Sequence, residues 1–457
     1  MKEYTKLISN WVLSNKYENI PGNVIMQMKI LTLDGIACAI HGSKIPLVNK
    51  VITAFSEKNP YTGSTVWCTD KKARADLATF INGTAVQSDE LDSAGQHTHT
   101  QASNLTSALA AAEVLGNVSG KTFLNALIIG EEVLARIGNA FTVKGFLYQD
   151  IGLHQAGTLS PLGTVATLAQ MHGLTEEQTF NALGISADRS YSLEITRISS
   201  EYKRSMQAHG GMIGVQSIWL ANENFKGIEN VLETDGGFFQ FFTQSKDNFD
   251  LEKLLLGLGQ EWLTLDAEMK KFMGMLYQHQ HYYCAKLLRE KNIFVIQNID
   301  HIEILVDAIE YEHSNHVYNR IDSKTFAQFC IPYGVAVMLI EGDTFIDQYT
   351  DDKLKNPEIV SLANKIHLSV NPDWPKNMNS GKRPSNITIY FKDGTSISEY
   401  AEYGYETCPM TKSDVIKKFM SLSTGVFPDE TLLKIIDFVF NLEKMNDVAE
   451  LAKLLQK

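Results

Sequence analysis

The sequence has little to tie it to an oxidising compartment, a membrane or a nucleic acid. Its five cysteines, Cys38, Cys68, Cys284, Cys330 and Cys408, stand far apart without a CxxC pair. Neither a disulfide framework nor a thiolate zinc centre is signalled, and a reducing compartment fits best. Positive charge is in deficit: 41 Lys and Arg against 53 Asp and Glu give a net charge of -12, which excludes a broad basic surface for DNA or RNA. An anionic partner must find a local basic pocket. Apolar runs are short, as at Ala108–Ala112 and Val335–Ile340, against the ~18 residues or more that a membrane span needs. The opening MKEYTKLISNWVLSNKYENIPG interrupts its apolar residues too often for the core of a secretory signal. A soluble, cytoplasmic protein is expected, with no membrane and no nucleic-acid partner.

What is present is an ordinary globular composition, 44% hydrophobic and 21% charged, in a chain of 457 residues, long enough for about two or three structural units at ~150 residues each. From Asn23 to His41 apolar residues recur three and four apart behind the start signal Pro21-Gly22-Asn23, which predicts an amphipathic or largely buried helix. Similar patterns predict helices over 73–83, 102–115, 122–138, 158–172, 175–183, 210–222 and 251–255. Ala and Gly inside SALAAAEVLG and GTLSPLGTVATLAQ let helix axes approach closely. After Phe272 the texture changes. Strand-like alternation at 302–308, 365–370, 386–391 and 396–401, with Lys392-Asp393-Gly394 as a hairpin turn, is interleaved with helices at 329–341 and 357–365. From Lys412 onward the pattern is helical again. The expected fold is mainly α: a large all-helical domain built from both chain ends, 1–266 and 403–457, with a smaller α+β domain inserted over 267–402.

Several segments carry candidate chemistry. Gly116-Asn117-Val118-Ser119-Gly120-Lys121-Thr122 looks like a phosphate loop, but it has three residues between its glycines instead of four and follows a helix. A helix-to-helix turn with Ser119 as N-cap explains it better. His97/His99 and His279/His281 could share a metal only on extended backbone, because side chains two apart on a helix diverge, so no metal is expected. The densest constellation is the segment from Asn82 to His99, a helix end and a polar loop, with Asp89, Glu90, Asp92, His97 and His99 within eleven residues. Acid/base chemistry uses this mixture, since a carboxylate orients a neighbouring imidazole and raises its basicity; capping and solvation of a loop is the plainer alternative. Lys203 and Arg204, ahead of Gly210-Gly211, read as an anion pocket at a helix start or as an exposed basic turn. Lys270-Lys271 offers the same choice.

Together these pieces resemble the MmgE/PrpD family, which includes 2-methylcitrate dehydratases, cis-aconitate decarboxylases and iminodisuccinate epimerases. The blocks that carry the resemblance run nearly end to end: IPGNVIMQMKILTLDGIACAIHGS at 20–43, ADLATFINGTAVQSDELD at 75–92, the pair of helical segments at 108–138, GLHQAGTLSPLGTVATLAQMHGLTEEQTFNALGIS at 152–186 and KRSMQAHGGMIGVQSIWLA at 203–221. The resemblance implies a homodimer with a cofactor-free site between the helical domain and an α+β lid. The family's D-x-D-D-T signature falls on Glu90-Leu91-Asp92-Ser93-Ala94, which keeps Asp92 and replaces the other acids and the threonine. The histidine that follows it falls on His99 with one loop residue absent, or on His97. His154 takes the histidine of the GFH-type motif. Lys203 takes the lysine of K-x-x-H-x-G, with Met206 and Ala208 in place of the His and Gly. Lys270, Lys271 and His279 fall on the K-x-Y-P stretch and the histidine beyond it, and Tyr333 on the tyrosine of S-x-P-Y.

The reactions of that family develop charge on a carbon beside a carboxylate. The resemblance therefore implies that Lys203, with Lys270 or Lys271, stabilises that charge, while His99 and His154 exchange protons, Asp92 or Glu90 orients an imidazole, Tyr333 donates a proton or hydrogen bond, and Glu90 and Arg204 contact the substrate. His279 is a further substrate contact. Burial is expected to move these pKa values towards neutrality. The departures remove hydrogen-bonding groups, and each partner left unpaired costs ~1–3 kcal/mol, so a smaller or less hydroxylated di- or tricarboxylate is expected as substrate. The expected activity is that of a lyase, a dehydratase or decarboxylase. An epimerase or isomerase of a dicarboxylate and a non-catalytic carboxylate-binding paralogue are the alternatives.

Overall fold

A computed structural model of the chain describes residues 2–57, 63–95, 99–141, 151–315, 323–374 and 381–457. The chain divides into two compact units, Met1–Met269 with Thr411–Lys457, and Lys270–Met410.

The first unit is helical. It contains α1 (Tyr4–Ser14), α2 (Gly22–Gly42), α3 (Pro46–Ile52), α4 (Ala75–Gln87), α5 (Asn104–Leu115), α6 (Gly120–Phe141), α7 (Gln155–Met171), α8 (Glu176–Asp188), the single turn α9 (Thr196–Ser199), α10 (Met206–Asn222) and α11 (Phe238–Thr243), with a short ladder of β1 (Ser64–Thr65) and β2 (Lys72–Ala73). Local signals set several boundaries. A reciprocal capping box starts α8, the Thr175 hydroxyl accepting from the Gln178 amide at 3.2 Å and the Gln178 side chain accepting from the Thr175 amide at 3.0 Å. At the phosphate-loop lookalike, Ser119 Oγ accepts from the Thr122 amide at 3.2 Å, and the Gly120 amide donates to the Met445 carbonyl. That segment is a helix start whose amides have partners within the fold. Two expected starts move by three residues or more. Helix α7 begins at Gln155 instead of 158, and α10 at Met206 instead of 210. The glycine pair lies inside α10, where it allows close contact: a Cβ on Gly210 would come within 2.4 Å of Ser160 and one on Gly211 within 3.1 Å of the Ser103 Cα. The expected helix at 251–255 is a 3₁₀ turn, Leu251–Leu254.

Helix α2 is long and apolar enough to cross a membrane by length and composition, and 83% of that stretch is buried inside the protein. Its polar residues are paired there. Lys29 donates to the Phe440 carbonyl at 2.9 Å and pairs with Glu443, and Asp34, fully buried, meets Lys418 at 2.6 Å. These partners come from the C-terminal helices α18 (Lys412–Ser423) and α19 (Asp429–Phe440) and the turn after α19; α20 (Ala449–Leu454) follows. The helical unit is therefore built from both chain ends, as the sequence implies.

Burial pushes the Asp34 carboxyl above its ordinary value against the pull of Lys418. Removing one member of such a buried pair leaves an uncompensated charge, so Lys418→Met is expected to cost about 3–5 kcal/mol in urea unfolding, most of it recovered by adding Asp34→Asn. A single-variant cost below about 1 kcal/mol would show that the pair does not join the chain ends energetically.

The inserted unit contains α12 (His279–Lys291), β3 (Ile299–Val306), α13 (Ala308–Asn315), α14 (Lys324–Ala327), α15 (Ile331–Glu341), α16 (Asp351–Leu354), α17 (Pro357–Ala363), β4 (Ile366–Val370), β5 (Arg383–Phe391) and β6 (Ser396–Tyr403). The strand order is β4-β3-β5-β6. The β3–β4 pair is parallel, with Ile302 opposite Ile366, and the helices between the two strands supply the crossover that parallel pairing requires. The β5–β6 hairpin turns at Gly394, whose φ of 86° needs a residue without Cβ. Ile302, Ile304, Val306, Ile387 and Ile389 are buried, and α12 packs against β5, β6 and α15.

Candidate active site

The acidic loop leaves α4 at Gln87 and is held residue by residue. Gly83 in α4 lies so close to the next segment that a Cβ would come within 2.1 Å of the Ala102 carbonyl oxygen, so both ends of the loop are fixed to one helix. Asp89, Glu90 and Asp92 are all buried. Asp89 Oδ2 lies 2.8 Å from His41 Nε2 on α2. Glu90 pairs with Lys203 and, at 2.5 Å, with Arg204 Nη1, both in the 3₁₀ turn Glu201–Ser205 that precedes α10. The Leu91 carbonyl accepts from Lys418 Nζ at 2.7 Å. Asp92 Oδ2 lies 2.8 Å from His99 Nδ1. Ser93 donates to Gln101 Oε1 at 2.5 Å, and Ala94 and Glu268 exchange backbone hydrogen bonds of 2.8 and 2.7 Å.

The ionised Asp92 can only accept, so the hydrogen of a neutral His99 ring sits on Nδ1 and leaves Nε2 as the basic nitrogen. The His99 side chain keeps a quarter of its surface exposed while Asp92 keeps 2%. The dyad thus has a buried orienting carboxylate and an accessible imidazole, the pattern of a positioned general base. Lys203 and Arg204 are each 5% exposed, which rules out the exposed basic turn. Burial pulls the Arg204 guanidinium down, and Asp89 and Asp92 hold it up.

His154 stands as the residue before α7, its amide donating to the Ser192 carbonyl at 2.9 Å. Its Nδ1 is buried without a hydrogen-bond partner among the described residues. Burial, then the neighbouring His99 and Arg197, push this imidazole down to about 3. The expected drift towards neutrality is corrected here: the charges that reach His154 are cationic, so they add to desolvation instead of opposing it. His154 is neutral at any ordinary working pH. The unfolded chain binds a proton here below about pH 6.5 and the folded chain does not until about pH 3, so this group's contribution is complete above the first value and lost as pH falls towards the second. The stability lost between pH 7 and about pH 4.5 is therefore expected to be smaller in His154→Gln than in the wild type, read from urea midpoints. Equal losses would contradict the assignment.

The helical unit thus gathers Glu90, Asp92, His99, Lys203 and Arg204 around one loop, with His154 near enough to His99 to sense its charge. His97 lies outside the described residues. The other candidates belong to the inserted unit. Lys270 is buried, Lys271 is half-buried, and His279 is fully buried among Phe272, Tyr282 and Tyr403. His281, on the same helix, meets Ser385 Oγ at 2.8 Å and Glu310 at 3.4 Å, so the two rings diverge as helical spacing requires. Tyr333 is buried, packs edge-on against Tyr349 and donates its hydroxyl hydrogen to the Gln348 carbonyl at 2.6 Å. Burial holds that phenol far above its ordinary value.

Sequence reasoning missed Asp34, His41 and Lys418. A lone Asp and a His inside the apolar run ILTLDGIACAIH were a usable signal, because charged residues are seldom fully buried unless paired. Lys418, in an amphipathic helix with several lysines, gave none.

The model of the MmgE/PrpD N-terminal domain matches residues 6–250 and that of the MmgE/PrpD C-terminal domain residues 275–444. A cis-aconitate decarboxylase of Aspergillus terreus is 27% identical over 99% of this chain and 95% of its own length. The cis-aconitate decarboxylase of Mus musculus is 24% identical over 100% and 94%. A probable 2-methylcitrate dehydratase of Saccharomyces cerevisiae is 25% identical over 66% and 61%.

Proposed function

Because the chain belongs to the MmgE/PrpD family and is a dehydratase- or decarboxylase-type lyase of that family, we propose that it acts on a small di- or tricarboxylate with its own side chains. The observation that carries this reading is the pairing of His99 with buried Asp92 on the same loop whose Glu90 engages Lys203 and Arg204. A general base and two buried cations are what carbanion chemistry beside a carboxylate needs. Lys203 takes a substrate carboxylate and lowers the energy of the enolate-like charge spreading onto it. When water is eliminated, His99 Nε2 accepts the α-proton, the C–H electron pair forms the new double bond as the C–O bond breaks, and the imidazolium so formed returns its proton to the departing hydroxide, which leaves as water. In decarboxylation the carbon–carbon bond breaks, CO2 leaves, the electron pair stays on carbon, and protonated His99 delivers the proton there. His154, neutral throughout, serves by hydrogen bonding and not as an imidazolium.

The test is direct. Purified protein is incubated with cis-aconitate, 2-methylcitrate, citrate and smaller diacids while CO2 release and ultraviolet absorbance are followed. Turnover of at least one of them, lost in His99→Gln, is expected. Deuterium wash-in at an α-carbon without net conversion would replace the lyase reading by an epimerase.

A further inference from the structure

Lys203 and Arg204 are the cations that a substrate carboxylate would seek in the helical unit, yet one internal carboxylate already engages both. Glu90 reaches the two side chains from a buried position, and its backbone is held at a φ of 55°. That left-handed conformation is uncommon for a residue with a long side chain, and it persists only where the surroundings impose it. Here they do: His41 fixes Asp89 on one side, Lys418 grips the Leu91 carbonyl on the other, and Asp92 is committed to His99. Glu90 is thus aimed at the cation pair by its neighbours on both sides. Among the described residues named here, acids are at least as many as cations. Asp34 takes Lys418, Glu90 engages Lys203 and Arg204, and the charges of Asp89 and Asp92 also act on Arg204. In a buried setting every additional anion must be matched by a cation or it is strongly disfavoured.

We infer that Glu90 is a specificity-determining residue that stands in for one substrate carboxylate on the Lys203–Arg204 pair, so that the site selects a dicarboxylate over the corresponding tricarboxylate. This rests on the reading that the loop cluster receives the substrate. Glu90→Gln keeps the shape and removes the charge, which frees half of the cationic capacity for a third substrate carboxylate.

Glutarate and tricarballylate are suitable probes, because the second differs from the first only by a carboxylate on the central carbon, and neither needs to react. By titration calorimetry the wild type is expected to bind glutarate about tenfold or more tighter than tricarballylate, and Glu90→Gln is expected to narrow or invert that ratio by about tenfold through a gain for tricarballylate. A wild type that prefers tricarballylate overturns the inference without any variant. A folded Glu90→Gln that leaves the ratio unchanged also overturns it. Lys203→Met separates the two levels: if it binds both probes as the wild type does, the placement of the site fails, whereas loss of binding with no effect of Glu90→Gln on the ratio sinks the specificity inference alone.

Discussion

Lys203→Met is expected to lower kcat/KM on the protein's own substrate by about 10²–10³-fold, the scale seen when a preorganised charge-stabilising donor is removed from a closed site. The size follows from burial. Lys203 is 5% exposed, so its ammonium acts where water cannot replace it, and methionine fills the volume without restoring charge. Part of the loss should appear in KM, because the same group holds the substrate carboxylate, and part in kcat, because the charge it faces grows in the transition state. Arg204 remains to hold Glu90, so the loop should stay in place, and the loss of one buried cation is expected to lower the urea midpoint without abolishing folding. Steady-state kinetics with an unfolding curve checks both. A folded variant with activity within a few-fold of wild type would remove Lys203 from the reaction.

Asp92→Asn is expected to be as damaging, with kcat falling by about 10²–10⁴-fold and KM little changed. The carboxylate accepts from His99 Nδ1 at 2.8 Å. An amide turned to present its NH2 would force Nδ1 to accept and put the hydrogen on Nε2, the wrong nitrogen for a base. Because the two residues act as one unit, Asp92→Asn combined with His99→Gln should be scarcely worse than His99→Gln alone. Losses that multiply would mean that Asp92 and His99 work independently.

Much of the fold was legible because it is written in periodicity. The helical body shows in spacings of three and four, the inserted unit in the switch to alternation after Phe272, and the hairpin in Lys392-Asp393-Gly394. Helix starts were less legible. The Gly210-Gly211 pair reads as a boundary, but glycine there serves contact with α7 and the segment after the acidic loop, and a single sequence does not distinguish the two uses. At the site, the density of acids and imidazoles between Asp89 and His99 pointed to a loop whose residues Asp89 to Ala94 each have a partner in the helical unit. What local pattern could not supply was the partner of each group. Asp34 meets Lys418 across 384 positions of sequence, and Glu90 meets Arg204 across 114; such pairs exist only after distant segments pack together. The direction of the His154 shift was also hidden, because it depends on which charges the fold brings near.

The most direct measurement is a crystal structure of the wild-type protein with a bound, unreactive dicarboxylate such as glutarate. One carboxylate is expected within hydrogen-bond distance of Lys203 Nζ or Arg204, with a carbon next to it facing His99 Nε2. Clear density for the ligand elsewhere, with Lys203, Arg204 and His99 untouched, would contradict the assignment of this loop as the place where the chemistry happens.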